Sequence, residues 1–362
     1  MKHLKVIPAA LLLCFSHASF AEETELETVV VTANRIARTV DDTQASVSVV
    51  SRQDIERSQA RNIEDLLSGL PGVMLTNNGG PGKVSSLFLR GTNSDHVLVL
   101  VDGIRIGSVT SGQAALQDIP VDQIERIELV RGPRSSLYGS EAIGGVVQIF
   151  TKKGAQAPVV TLSAGSRGTF SGRVSDGFGS QKAWFNASLA SERTRVVASP
   201  KAQSTPGIDA CQGNPGAGCY TVEPDRDGYR NTSLVLRAGG QPHKTLAIEA
   251  QVLEVRAHND YDGSTSNEAD VRQQVAGSSL RWTPSEALRS TLRLGQSIDD
   301  SENFKDGESS SRFKTRRNTL AWQTDFELSE NHRLVGGLDW LQDAVLSTTE
   351  FERDKRRNMG AF

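Results

Sequence analysis

Cysteine is scarce in this chain: three in 362 residues, of which only Cys211 and Cys219 lie beyond position 21. Histidine is almost as rare, with six, and neither His-Glu-x-x-His, Cys-x-x-Cys nor Gly-x-Ser-x-Gly occurs. Zincin, dithiol-redox and serine-hydrolase chemistry therefore lack their carriers, and no enzymatic activity is expected. No run of eighteen apolar residues is present, so a membrane-spanning helix is not expected. An excess of positive charge is missing too. Without residues 1–21 the chain holds 38 basic and 43 acidic residues, a net charge of −5 that gives no electrostatic case for a nucleic-acid partner.

What is present begins with an address. Lys2 and Lys5 precede a mostly apolar stretch from Val6 to Phe15, and Ser19-Phe20-Ala21 supplies cleavage-site residues before Glu22-Glu23. Residues 1–21 read as a secretory signal peptide. The apolar stretch is too short to anchor a helix in a bilayer, and Cys14 follows three leucines rather than the small residue a lipidation site requires. In an exported chain, Cys211 and Cys219, eight apart in CQGNPGAGC, read as one small disulfide loop. Just after the cleavage site, in a charged tail, stands ETVVVTAN (27–34), a β-prone strip with no second strip beside it to pair with.

The organisation changes near 151–158, TKKGAQAP. Before it, SRQDIERSQARNIEDLLSGLPGV combines a cap candidate, Ser51, with apolar Ile55, Ile63, Leu66, Leu67 and Leu70 and a Gly-Leu-Pro-Gly stop. SSLFLRG, HVLVLVDGIRI, IERIELVRG and GGVVQIFTK then read as short strands between glycine turns. That is a compact α+β domain. Its glycines lack the Lys-Ser/Thr and helix start of a phosphate cradle.

Beyond 157 the pattern is alternation. Leu320, Trp322, Phe326 and Leu328 share one parity and Gln323, Asp325 and Glu327 the other; Leu246, Ile248, Ala250 and Val252 alternate likewise with Glu249 and Gln251. A secreted sandwich or solenoid would alternate in the same way. Connections that are alternately short, TPSEA and SENH, and long and polar, 195–230 and 300–312, favour an antiparallel transmembrane β-barrel. Nine or ten strands fit between 157 and 362. An open, lipid-facing edge is not viable in a bilayer, so the barrel is expected to be the N-terminal part of a larger one.

VRGPRSSLYGSEAIGGVVQIFTKKG (130–154) resembles the end of the plug domain of TonB-dependent outer-membrane receptors, and ETVVVTAN resembles their TonB box. NNGGPGKVSSLFLRGTNSDHVLVLVDGIRI (77–106) is similar to the cobalamin-importing branch of that family. The resemblance implies a signal peptide at 1–21, a periplasmic tail with the TonB box at 22–34, a plug at 35–153 and the first part of a barrel of about 22 strands at 154–362. It implies active import of cobalamin by a monomer in the outer membrane, energised through TonB, with a ferric siderophore or haem as the alternative cargo. A passive porin would need no plug.

In the family the TonB box is lent to TonB as an added strand, a role that suits Glu27, Thr28, Val29, Val30, Val31, Thr32 and Ala33. The resemblance places Val84, Ser86, Asn93, Thr110 and Ser111 on outward plug loops, and Gly263 beside them, as cobalamin contacts. It places Arg90 and Arg131 at the boundary of plug and barrel, where Arg134 and Glu141 are expected to pair as well. A calcium set follows: Glu223, Asp225 and Asp227 on one loop, and Asp262, Asp270 and the carbonyls of Tyr261 and Gly263 on another, hard oxygen donors of the type Ca²⁺ takes. Arg195 stands where the family has a carboxylate, which weakens one site.

Overall fold

The computed structural model describes residues 30–31, 38–39, 45–77, 81–165, 168–195, 228–329 and 332–362. The expected signal peptide at 1–21, the expected Cys211–Cys219 disulfide, and the expected calcium ligands Glu223, Asp225 and Asp227 lie outside the described residues.

The tail strip has a partner after all. β1 (Val30–Val31) pairs antiparallel with β2 (Arg38–Thr39), Val30 opposite Thr39 and Val31 opposite Arg38. The remaining positions of the expected TonB box, 27–29 and 32–33, lie outside the described residues.

The α+β domain follows. β3 (Ser46–Val50) leads to two short helices, α1 (Arg52–Ser58) and α2 (Ile63–Leu67). The break has a local cause: Gln59 ends α1 in the left-handed conformation, and Asn62 starts α2 by accepting from the Asp65 N–H. Ser51 caps α1 as expected, in a reciprocal capping box with Asp54. Ile55, Ile63, Leu66 and Leu67 are buried, with Leu70 packed against them.

β4 (Val73–Asn77) and β5 (Ser85–Leu89) form a separate hairpin. β6 (Val97–Val101), β7 (Ile104–Arg105), β8 (Ile124–Arg131) and β9 (Gly145–Thr151) join β3 in a five-stranded sheet of order β3-β8-β9-β6-β7, with α3 (Ser135–Tyr138) between β8 and β9. β6 and β9 are its parallel pair, and VLVLV of β6 is buried on both faces, as continuous apolar runs in parallel pairs are.

Ten strands follow in one antiparallel meander: β10 (Gln156–Ala164), β11 (Phe170–Gly179), β12 (Trp184–Arg195), β13 (Gly228–His243), β14 (Leu246–Asp260), β15 (Glu268–Ser285), β16 (Leu288–Lys305), β17 (Glu308–Ser329), β18 (His332–Ser347) and β19 (Lys355–Ala361). Each pairs with the next, and among the described residues β10 and β19 are the sheet's edges.

One expected long loop is not a loop. β16 runs to Lys305 and β17 starts at Glu308, so 300–312 is strand around a two-residue turn, Asp306-Gly307, with φ of 54° and 83°. Positive φ at both central positions is the Asp-Gly hairpin turn, and the polar residues of this stretch mark the sheet beyond the apolar band.

Strand parity separates two environments. Val235, Leu253, Val255 and Val275 point inward and are buried in the same core as Ile104, Leu116 and Ile127 of the first domain, which therefore sits against the concave face of the sheet. The opposite parity carries Leu189, Leu294, Leu320, Trp322, Phe326 and Leu338, all exposed. An apolar outward band on a sheet with a plugged interior is the arrangement of an outer-membrane barrel wall. No helix among the described residues is long and apolar enough to cross a membrane.

Candidate functional site at the plug and barrel boundary

The loops of the first domain that precede β5, precede β6 and follow β7 come together. Ser86 donates to Gln113 Oε1 at 3.0 Å, and Gly112 packs so closely on the Asp95 side chain that a Cβ there would collide with it. Ser108 and Thr110 hydroxyls lie 2.8 Å apart, and the Val109 N–H donates to Thr315 Oγ1 of β17 at 3.0 Å. Val84, 55% exposed, stands at the tip of its loop, with Asn93 and Ser111 also exposed. The structure thus gathers the loops that carry five of the expected contact residues at one end of the sheet.

Lys83 and Gly82, which the sequence pattern did not single out, fix this cluster to the wall. Gly82 has φ +72° and lies against the Tyr229 ring, where any Cβ would collide. The buried Lys83 Nζ donates to Asn259 Oδ1 at 2.9 Å and to the Asp260 carbonyl, and lies 5.7 Å from the centre of the Tyr261 ring. Tyr229 in turn donates to Asp118 Oδ1 at 2.9 Å, and Asn231 Nδ2 donates to the Asp118 carbonyl at 2.8 Å.

Asp118 is buried, and among the described residues its second oxygen, Oδ2, has no hydrogen-bond partner. Burial pushes its carboxyl up to about 7, against the lowering effect of the Tyr229 bond, and the nearby negative charges of Glu64 and Asp299 push the same way. Glu64 is likewise buried and its carboxyl raised, by burial first.

Expected metal-binding residues are only partly free to ligate. The Gly263 carbonyl accepts from Lys305 Nζ at 3.1 Å, and Asp270 Oδ1 lies 2.7 Å from His258 Nδ1. The residues that do converge among those described are His258, Asp260 and Glu268, all half-buried, with one donor atom each within 4.8 Å of the others. Two carboxylates suit a hard cation, whereas an imidazole is not a usual calcium ligand. Asp260 and Glu268 end β14 and begin β15, where a His-x-Asp pair and an acid eight residues on were the available sequence signal.

Deeper in, charges cross the boundary between domain and wall. Arg237 of β13 donates to the Thr151 carbonyl at 2.7 Å and pairs with Asp102 at 3.2 Å and Glu249 at 3.1 Å. Glu141 accepts from Arg317 and Arg356, each at 3.1 Å, and both arginines also bond Asp343 at 2.7 Å. Glu141 therefore pairs across the boundary as expected. Arg131 does not, because among the described residues its guanidinium is taken up by Ser46 and Ser48 of the neighbouring strand β3. Arg134 bonds the carbonyl of Pro133, and Arg90 lies along Gly72 and Gly132 of its own domain.

Residues 39–146, which hold the apical loops and the five-stranded sheet up to the start of β9, match the TonB-dependent Receptor Plug Domain. The chain carries the plug domain of the TonB-dependent receptors. The receptor is 33% identical over 373 residues to the vitamin B12 transporter BtuB of Photobacterium profundum, an alignment covering all of this chain and 58% of that protein. It is 33% identical to the BtuB of Vibrio cholerae over 371 residues, 99% of this chain and 58% of that one. The chain thus spans less than two thirds of the length of these relatives. In fold it is similar to the ferric enterobactin receptor PfeA of Pseudomonas aeruginosa, with a TM-score of 0.66 and 21% identity over 88% of this chain and 51% of that one. The ferripyoverdine receptor of the same organism gives 0.68 and 13% over 91% and 47%. The plug, the plugged sheet and the outward apolar band agree with the outer-membrane address of the family.

Proposed function

We propose that this receptor imports vitamin B12 across the outer membrane, binding cobalamin on the apical plug loops and drawing energy from TonB through the strip at 27–33. The observation that carries this choice of cargo is 33% identity to two vitamin B12 transporters over essentially the whole chain. The siderophore receptors, at 13–21%, share the fold alone.

The apical surface suits a broad, flat corrinoid with peripheral amides. Val84 offers an apolar tip, and Ser86, Asn93, Thr110 and Ser111 offer short polar groups around it, with Gly263 on the facing barrel loop. Ser86 and Thr110 are held by Gln113 and Ser108, so ligand meets a surface with little left to order. Lys83, Tyr229 and Asp118 then connect the apical loop to the wall and to the plug interior. For binding to act on the TonB box, cobalamin must prefer the signalling arrangement of this connection over the resting one. In the signalling state the Val30–Val31 ladder opens, and TonB takes the strip by backbone hydrogen bonds in place of Arg38–Thr39.

Calcium orders the outer loops in this scheme. Asp262, Asp270 and the Tyr261 and Gly263 carbonyls contribute from one side, with Glu223, Asp225 and Asp227 from the other, and Asp260 and Glu268 add carboxylates to the set. The test is cyanocobalamin binding to outer membranes carrying the receptor, with and without a calcium chelator, and with a ferric siderophore as competitor. Saturable binding that weakens on chelation and ignores the siderophore supports the proposal. Siderophore binding without cobalamin binding hands the cargo to the siderophore reading.

A further inference from the structure

Three outward-facing pairs lie one above the other on the hairpin of β12 and β13. Register places Leu189 opposite Leu234, then Ser191 opposite Thr232, then Arg193 opposite Arg230. The lowest pair belongs to the exposed apolar band, with Leu189 53% exposed. The middle pair sets two hydroxyls 3.5 Å apart. The uppermost sets two exposed arginines face to face at the loop-bearing rim of the sheet.

Like charges directly opposite across a strand pair destabilise it unless something compensates them. Along the rest of this belt something does. Arg256 and Arg272 share Glu254 at 2.7 and 3.3 Å, and Arg312 and Lys314 share Asp300 at 2.9 and 3.0 Å. Arg193 and Arg230 have no ion pair among the described residues. His258, the next residue in the row, is already engaged on both ring nitrogens by Asp260 and Asp270. A cavity of about 290 Å³ opens here at the rim, lined by outward Arg193, Arg230, His258 and Asp260 together with Gly228 and the buried, inward Thr194 and Tyr229; the Asp260 carboxylate Oδ2 is bonded to the Gly228 N–H.

We propose that Arg193 and Arg230 seat the phosphate of a phosphorylated lipid of the outer leaflet, with Ser191 and Thr232 meeting the polar linkage and an acyl chain lying along Leu189 and Leu234. Charge complementarity and continuity with the lipid-facing band choose this occupant. The ladder of cation, hydroxyl and apolar pair follows the order of groups along such a lipid, and arginine forks match phosphate oxygens. The three stacked pairs face away from the plug, so the proposal requires only the outer-membrane address and not the cobalamin reading.

The test is native mass spectrometry of the receptor released from nanodiscs doped with a phosphorylated glycolipid or with the same lipid enzymatically dephosphorylated. The wild type retains the phosphorylated form selectively. Arg193→Gln with Arg230→Gln weakens retention about thirtyfold, each arginine near an anionic surface contributing about fivefold. Arg193→Lys with Arg230→Lys keeps most of it, and Arg312→Gln, in the compensated part of the belt, leaves it unchanged. Equal retention of the two lipid forms overturns the proposal, as does unaltered retention in the double glutamine variant. Displacement of the lipid by millimolar inorganic phosphate also overturns it, by showing a free-anion site. Should the double glutamine variant not assemble, the comparison of the two lipid forms on the wild type decides alone.

Discussion

At the scale of single residues, the plug is fastened to the wall by contacts that sequence patterns mark poorly. Gly82 reads as one more turn glycine, yet its positive φ and its contact with Tyr229 leave no room for a side chain. Gly82→Val is expected to destabilise the receptor by roughly 1–3 kcal/mol, seen as a lower Tm, because it adds both backbone strain and a clash. Gly277 and Gly295 make a second such seat, where Ile104 of the plug fills the space two side chains would occupy. Asp118 gives a pH signature. Its carboxyl is raised to about 7 in the folded protein, above its ordinary value in the unfolded chain, so the folded state holds the proton longer. The stability this contributes is complete below about pH 4 and lost as pH rises through about 7. Asp118→Asn is expected to flatten denaturation free energy against pH across that window, by up to ~4 kcal/mol; an unchanged slope would exclude Asp118 as its source. Val84, Ser86, Asn93, Thr110 and Ser111 are singled out as contacts only by the resemblance of their segment to a family, and the structure adds where their loops lie. Lys83 is not singled out, because a lysine in a glycine-rich loop gives no sign that its ammonium is buried against a strand some 176 positions away.

Among elements, periodicity carried the barrel strands well. The parity of Leu320, Trp322, Phe326 and Leu328 reappears as an exposed face, since side-chain alternation in a strand follows from backbone geometry alone. Loop lengths were read less well. Polar residues at 300–312 look like a loop when they are strand above the apolar band, and Asp306-Gly307 was the overlooked hairpin signal. Gly307→Val, at φ 83°, is expected to lower stability by about 1 kcal/mol or more, measurable as a Tm shift, with no change in apical binding. The tail strip makes a sharper case. Val30→Pro removes a backbone donor and resists strand pairing, both with Arg38–Thr39 and with an added partner. Uptake energised through TonB should fall to the background level while cobalamin binding at the cell surface persists. Uptake equal to that of the wild type would show that the strip is not lent as a strand.

For the whole molecule, the architecture follows from one physical requirement: a sheet with an exposed apolar band outside and an inner face of mixed apolar and charged residues must put its plug against the inner face and lipid against the outer. That arrangement was largely readable from composition and alternation, together with the expected export signal at 1–21. Which charges bridge plug and wall was not, because Glu141 reaches Arg317 and Arg356 across more than 170 positions of sequence. The central claim is directional import of one cargo. The decisive measurement is uptake of radiolabelled cyanocobalamin by cells whose only corrinoid receptor is this one, compared with and without TonB. The account predicts accumulation that requires TonB and is undiminished by excess ferric siderophore. Surface binding with no TonB-dependent accumulation, or accumulation of the siderophore in place of cobalamin, would contradict it.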